Sequence, residues 1–393
     1  MANIENSWAH GAGRRSALRA LAGFFAGSPL LRPQADPFRD HSRVPRLDEL
    51  ITALDFEPVA YAKLPRTAYD YTAYGSESEF TLRRNRQAFD WVRLVPRVVG
   101  ATGSPQTATE VFGTKMAFPI LISPSAAQAA LHPEGEMAMH EGATAASNTP
   151  MIISNVASFP VDKIAAAATG PVWFQLYPRP EMEANQEILE KAQAAGCRAV
   201  VVTVDQQASY YERALHGRNL GGTRRLLPRR PGRNSYGLDE GRLWYEWKFF
   251  EQIRPFVKVP MAIKGILTAE DARLSIEHGL DAVYVSNHGG RSMDYGPSTL
   301  EVLPEIVEAV QGRVPVLFDS GLRRGADILK ALALGATAVC LGRVPRWGLA
   351  AYGPAGVQRI LEIVQAELVR AMASTGRSTL AAIDRSLART EFP

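Results

Sequence analysis

The stretch VPVLFDSGLRRGADILKALALGATAVCLGR, residues 314–343, carries the pattern that decides the fold. It opens with an apolar, β-branched run and passes through a turn rich in Gly and Arg. It continues as an Ala/Leu-rich segment with helical spacing and ends in a second apolar run closed by Gly342 and Arg343. A strand apolar on both faces, then a helix, then another such strand, is a parallel βαβ unit. Working outward, the unit recurs. The apolar runs are PILISP (119–124), MIIS (151–154), VWFQLY (172–177), AVVVTVD (199–205), PMAIKG (260–265), AVYVSN (282–287), VPVLFDS (314–320) and AVCLGR (338–343). Helical segments such as GEMAMHEGATAAS, NQEILEKAQAAG, AEDARLSIEHG and GADILKALALGA lie between them. Eight units over about 250 residues predict an α/β fold, a closed (β/α)8 TIM barrel, with its core at about residues 118–373. An open doubly wound sheet is the alternative, but the Gly-rich turn it usually carries after its first strand is missing.

The flanks read differently. Residues 47–94 are mostly helical in pattern (LDELITALDF, EFTLRRNRQAFDWVRL), which predicts an N-terminal helical extension to the domain spanning residues 46–393. Residues 1–45 read as a tail. Arg14 and Arg15 precede the weakly apolar ALAGFFAGSPLL (20–31), a pattern shared by a twin-arginine export signal and an exposed amphipathic arm. A cytoplasmic protein is the first expectation and an exported, periplasmic one the alternative. No apolar run approaches the roughly 20 residues of a membrane span. Residues 206–257 form an unusually long connection containing GGTRRLLPRRPGR (221–233). A loop of that length inside a compact domain is usually functional. A basic lid over an anionic substrate, a solvated face and a membrane contact all fit it.

Hydrophobic residues make up 46% of the chain, enough for a sizeable core. The net charge of +4 is too mild to imply nucleic acid but suits anionic substrates. The two cysteines, Cys197 and Cys340, sit in apolar runs and read as buried thiols. Nothing in the pattern calls for a metal.

In a barrel of this kind the active site lies at the carboxyl ends of the strands. Every predicted strand ends there in polar residues: Ser123 and Ser125, Ser154, Gln175 and Tyr177, Thr203 and Asp205, Lys264, Ser286 with Asn287 and His288, Asp319, and Gly342 with Arg343. Eight of eight imply a large polar ligand across the mouth. The turns after strands 7 and 8, DSGLRRG and LGR, lie where phosphate sites form, and Arg343 could pair bidentately with a phosphate. Lys264 closes an apolar strand, so it needs an anionic partner or a depressed pKa. A Schiff base, a carboxylate pair and a cofactor that becomes negative are all open. His288 is either a general base or a satisfied structural histidine, and Asp205 could orient its ring. Arg213 and Arg291 could pair with a substrate carboxylate.

These residues resemble the FMN-dependent 2-hydroxy acid oxidase and dehydrogenase family, which includes glycolate oxidase, lactate oxidase and mandelate dehydrogenase. The matching stretches are KLPRTAYDYTAYGSESEFTLRRNRQAF, SPSAAQAALHPEGE, FQLY, TVD, IKGILTAEDA, SNHGGRSMDYGPSTL and DSGLRRGADILKALALGATAVCLGR, running from about residue 46 to the end. The resemblance implies FMN as cofactor and oxidation of an (S)-2-hydroxy acid to the 2-oxo acid. The acceptor would be O2, giving H2O2, or alternatively a quinone or protein, as in a dehydrogenase. It implies that Pro124, Ser125, Ala126, Ser154, Gln175, Tyr177, Thr203, Lys264 and Ser286 contact the flavin and ribityl chain. Asp319, Ser320, Gly321, Arg323, Gly342 and Arg343 would hold ribityl and phosphate. Tyr71, Tyr177, Arg213, His288 and Arg291 would bind substrate, with His288 as base, Asp205 stabilising its imidazolium, and Tyr71 assisting at the carboxylate or hydroxyl. Lys264 would stabilise the reduced flavin, which makes the Schiff-base and carboxylate-pair readings unnecessary. A homotetramer or larger assembly is also implied.

Some positions depart from the family pattern. Ser320 stands where a second Gly is usual, and Val344 where Pro follows Gly-Arg. Val156 stands where glycolate oxidase has a tryptophan, and Thr72 replaces an aromatic residue beside Tyr71. Both of the latter predict a larger substrate pocket. The interval from Asp205 to Arg213 holds one extra residue, so Arg213 is placed by its spacing to Asn219. Two readings from other classes are a catalytically dead barrel that only binds, and an aldolase using Lys264. Flavin absorbance in the purified protein separates both from the first.

Overall fold

A computed structural model describes residues 43–97, 99, 103–205 and 245–393. The chain divides into Met1–Pro45 and Arg46–Pro393, and the second unit carries all that follows. The Arg14-Arg15 pair, Arg213 and most of the long connection lie outside the described residues.

Eight parallel strands close into a barrel in simple sequential order. They are β1 (Ile120–Ile122), β2 (Met151–Ser154), β3 (Val172–Leu176), β4 (Val200–Thr203), β5 (Met261–Ile266), β6 (Ala282–Val285), β7 (Val316–Phe318) and β8 (Ala338–Leu341). Each falls on one of the eight apolar runs. The helices that follow them are α1 (Gly135–Ala145), α2 (Val161–Ala166), α3 (Met182–Ala194), α4 (Lys248–Ile253), α5 (Ala269–Glu277), α6 (Thr299–Val310), α7 (Gly325–Ala333) and α8 (Arg343–Ser374). Local chemistry sets several starts. Ser298 caps α6 by accepting from Glu301 N while Glu301 reaches back, and Thr268 caps α5 from its hydroxyl. The described end of the long connection is not a loop, because residues 248–256 form α4 and a following turn.

Two apolar layers explain why the strands are apolar on both faces. Alternate residues point inward, so Leu121, Ile152, Trp173, Val201, Ala262, Tyr284, Leu317 and Cys340 fill the barrel. The alternating partners pack outward against the helices in one large cluster. The amino end of the barrel is plugged by a hairpin, Thr109–Val111 with Thr114–Met116, whose Thr114 hydroxyl accepts from Trp173 Nε1 at 3.1 Å. Cys197 and Cys340 are buried and unpaired by disulfide. Burial pushes the Cys197 thiol up to about 12.

The N-terminal extension is helical as predicted, with helices Phe56–Lys63, Arg66–Ala73 and Phe80–Gln87. Two details differ. Residues 47–55 form two 3-10 turns rather than a helix, and Val92–Leu94 is a strand paired with Ala388–Thr390. That partner lies nearly 300 residues away, which local periodicity cannot report. The extension is fastened to the barrel mouth by polar contacts. Arg84 forks onto Glu301 at 2.9 and 2.6 Å, and Asp294 accepts from Ser78 N and Phe80 N, each at 2.8 Å. Among the described residues no helix is long and apolar enough to cross a membrane.

Candidate active site

Strand register brings the predicted residues together at the carboxyl end. Thr203 and Lys264 are neighbours across β4 and β5, and Ser154 and Gln175 across β2 and β3. A bulge interrupts β5 at Gly265. There φ is 116°, and a Cβ would lie 2.6 Å from Asp205 Cβ, so only glycine lets the Asp205 side chain come down over β5.

Asp205 is the hub of the site. Its Oδ1 lies 2.8 Å from His288 Nδ1 and its Oδ2 3.2 Å from Lys264 Nζ. The lysine and the aspartate are almost wholly buried, with side chains 3% and 6% exposed. Lys264 therefore does form the carboxylate pair that the resemblance had made unnecessary. A buried ammonium needs compensation whatever else it does. Burial alone would raise the Asp205 carboxyl, but the charges of His288 and Lys264 outweigh it and bring its pKa to about 2. The group is thus an ionised, acceptor-only neighbour of the imidazole, so Nδ1 carries the proton and Nε2 is the basic nitrogen. For His288 itself, burial depresses the pKa most. Asp205 opposes that, and Lys264 and Arg291 add to it, leaving the value below 6.5. The imidazole is therefore neutral at pH 7, as a base must be.

The histidine is held by its loop as well. It takes a left-handed conformation, φ 58°, and its N–H donates to Ser286 Oγ at 3.1 Å. Tyr177 reaches across from β3, with its hydroxyl 3.4 Å from Nε2 and its ring stacked on the imidazole at 6.4 Å. Arg291 comes in from the same loop, donates to the carbonyls of Tyr71 and Tyr74, and lies 4.8 Å above the Tyr71 ring. Tyr71, Tyr177, His288 and Arg291 are thus grouped as expected.

The rest of the mouth fits a large polar cofactor. Gln175 Nε2 and Thr203 Oγ1 are buried with no hydrogen-bond partner. Orphaned buried groups in a folded protein call for a ligand or an ion. Beside them Ser154 donates to Gln175 Oε1 at 3.0 Å. After β7 the chain turns sharply. Ser320 and Gly321 are both left-handed (φ 82° and 83°), and a Cβ on Gly321 would overlap Asn85 O. Ser320 stands in for glycine because its hydroxyl is used twice, accepting from Gly289 N at 3.0 Å and donating to Asp319 Oδ1 at 2.8 Å. Arg323 and Arg343 share a cavity of about 450 Å³ with Arg83, Arg86 and Glu57. Burial, then the nearby Arg86, lowers the Arg323 pKa, as expected of a cation set among other cations. Arg343 also lines this cavity, and its guanidinium reaches the histidine loop and the extension. Its guanidinium donates to the carbonyls of Thr72, Gly289 and Tyr74 at 2.8, 2.9 and 3.2 Å.

Thr72 corrects an expectation. It does not enlarge the pocket, since it is 3% exposed and its hydroxyl is covered by the Arg346 guanidinium. Val156 is 36% exposed. Sequence reasoning missed three participants. Asn85 exchanges two amide hydrogen bonds with Asn287, at 2.9 and 2.7 Å, and so fixes the histidine loop from the extension. Tyr284, inside the barrel, donates to Asp319 Oδ2 at 2.9 Å. The third is Arg346, whose signal was a charge within the otherwise apolar VPRWGLAA.

Fold and site together define a barrel whose mouth gathers orphaned buried polar groups and an arginine-lined cavity around a carboxylate-supported histidine. The FMN-dependent dehydrogenase family model matches residues 60–390, and the chain belongs to that FMN-dependent family. A 2-hydroxyacid oxidase of Dictyostelium discoideum is 37% identical over 356 residues, covering 87% of this chain and 91% of that one. A glycolate oxidase of Spinacia oleracea is 36% identical over 357 residues, covering 86% and 95%. Among solved structures, a mandelate oxidase superposes with a TM-score of 0.78 at 34% identity, covering 87% of this chain and 99% of the other.

Proposed function

We propose that the protein oxidises an (S)-2-hydroxy acid to the 2-oxo acid and passes the electrons to O2, giving H2O2. The observation that carries this reading is the Asp205–His288 pair, with Nδ1 held at 2.8 Å and Nε2 lying 3.4 Å from the Tyr177 hydroxyl. Bound FMN supplies a two-electron acceptor. Pro124, Ser125, Ala126, Ser154, Gln175, Tyr177, Thr203, Lys264 and Ser286 would hold its ring and ribityl chain. Asp319, Ser320, Gly321, Arg323, Gly342 and Arg343 would hold the phosphate end. Arg291 would bind the substrate carboxylate, with Arg213, which lies outside the described residues, as its expected partner. Tyr71 and Tyr177 orient the carboxylate and hydroxyl. His288 Nε2 accepts the substrate proton, and the ionised Asp205 stabilises the imidazolium that forms. Lys264 would add positive charge beside the cofactor ring when FMN is bound.

Oxygen as acceptor is supported by relatives that are oxidases, including two of glycolate or 2-hydroxy acids. The exposed Val156 favours a substrate larger than glycolate. In the same direction, a mandelate oxidase solved with (S)-4-hydroxymandelic acid superposes with a TM-score of 0.79 at 34% identity. The test is anaerobic mixing of the yellow holoenzyme with 2-hydroxy acids of graded size and both hands, following flavin bleaching, then readmitting O2. Bleaching by (S)-acids and rapid recovery in O2 with H2O2 release are expected. No bleaching by any 2-hydroxy acid overturns the substrate class, and recovery only with a quinone overturns the oxidase reading.

A further inference from the structure

Arg346 lies one helical turn beyond Arg343 at the start of α8 and is 5% exposed. Its guanidinium donates from Nε and Nη2 to the Thr72 hydroxyl at 3.2 and 2.9 Å, and from Nη1 to the Ala126 carbonyl at 2.9 Å. Its Cζ lies 5.7 Å from the centre of the Tyr71 ring, on which Arg291 also rests at 4.8 Å. Thr72 passes the contact on, its hydroxyl lying 3.4 Å from the Ala68 carbonyl one turn back in the same helix.

A buried guanidinium is costly to desolvate, and an apolar side chain would pack at this position without that cost. What the charge gains is geometry. Its acceptors belong to the segments flanking the site rather than to barrel strands: the helix Arg66–Ala73 that carries Tyr71, and the turn after β1. The planar fork fixes the two segments at one separation, and its rigid shape loses less freedom in doing so than a lysine would. Thr72 and Arg346 are matched. The small hydroxyl side chain leaves room for the guanidinium and accepts two of its donors.

We propose that Arg346 is a positioning residue that, through Thr72, sets the place of the Tyr71 phenol over the substrate. The inference rests on the placement of Tyr71 in the substrate site given above. Reacting groups displaced by about 1 Å lose on the order of 10²-fold in rate, so an error in this brace is visible in turnover.

The test uses FMN holoenzymes of Arg346→Leu, Arg346→Lys, Thr72→Val and Tyr71→Phe, with each of the first three also combined with Tyr71→Phe. Steady-state kcat and KM are measured with a 2-hydroxy acid that bleaches the parent flavin. Arg346→Leu is expected to keep its flavin and lose about 10- to 100-fold in kcat/KM, with Arg346→Lys recovering part of it. Thr72→Val reproduces the loss in part. In the Tyr71→Phe background the same changes lose most of their effect, because they act through one phenol; a merely structural role would leave the effects additive. Parent-like kcat and KM in Arg346→Leu, or the full loss persisting on top of Tyr71→Phe, overturns the proposal. If Arg346→Leu does not fold, Thr72→Val and Arg346→Lys decide by the same comparison. A Tyr71→Phe enzyme with parent kinetics instead overturns the placement of Tyr71, and this inference with it.

Discussion

Asp205 receives the Nδ1–H of His288 on one carboxylate oxygen at 2.8 Å, and that contact decides which imidazole nitrogen is the base. The other oxygen takes Lys264 at 3.2 Å. One buried carboxylate thus fixes a tautomer and neutralises a buried ammonium. Asparagine in its place keeps the shape and removes the charge. Asp205→Asn is expected to retain FMN while kcat falls by about 10²- to 10⁴-fold, the usual contribution of a positioned general base. Turnover together with flavin absorbance of the purified variant checks this, and near-parent kcat would show that the pair does not support catalysis.

The pH dependence follows from the same contact. Burial lowers the His288 pKa below its ordinary 6.5, and only the deprotonated ring can accept a proton. Activity is therefore full above the folded-state pKa and declines as pH falls through it. The acid limb of kcat/KM is expected below pH 6.5, with more than half the plateau activity remaining at pH 6.5. Asp205 is the group that raises the value, so Asp205→Asn should move the residual limb to still lower pH. A limb centred above 6.5 in the parent would contradict the burial argument.

Arg291 reaches the site from the histidine loop and leans on the Tyr71 ring at 4.8 Å. Arg291→Met keeps much of the stem volume and removes the charge-assisted donors. Such hydrogen bonds contribute about 1.5–3 kcal/mol. A KM rise on the order of 10- to 150-fold is expected for every 2-hydroxy acid tested, since all share the carboxylate. A KM change confined to one substrate side chain would mean that Arg291 reads the side chain and not the carboxylate.

The fold was legible because eight strands buried on both faces leave eight uninterrupted apolar runs. Strand ends exposed the site for a related reason. Polar residues such as Thr203, Lys264 and Asp319 have no cause to follow an apolar run unless something polar sits above them. What was illegible depended on contacts distant in sequence. Asn85 meets Asn287 across 202 positions and Arg346 meets Thr72 across 274, and no local period encodes either. Thr72 misled for that reason. Read alone, a small residue beside Tyr71 meant space; in the fold, Arg346 fills it.

Ser320 gives the last test, because it holds a glycine-like conformation, φ 82°, with a side chain. Left-handed backbone at a non-glycine residue costs about 1–3 kcal/mol. Here the hydroxyl offsets that by accepting from Gly289 N at 3.0 Å and donating to Asp319 Oδ1 at 2.8 Å. Ser320→Ala keeps the backbone strain and removes both hydrogen bonds, so it is expected to destabilise by about 1–3 kcal/mol and to loosen FMN. Ser320→Gly removes the same bonds but also relieves the strain, so its stability should stay within about 1 kcal/mol of the parent. Gly321→Ala is expected to be worst, since its Cβ would overlap Asn85 O and push the extension off the turn after β7. Thermal unfolding and flavin content should rank Ser320→Gly above Ser320→Ala, and Ser320→Ala above Gly321→Ala. If the alanine and glycine variants of Ser320 prove equal, the serine hydroxyl is not what holds this turn.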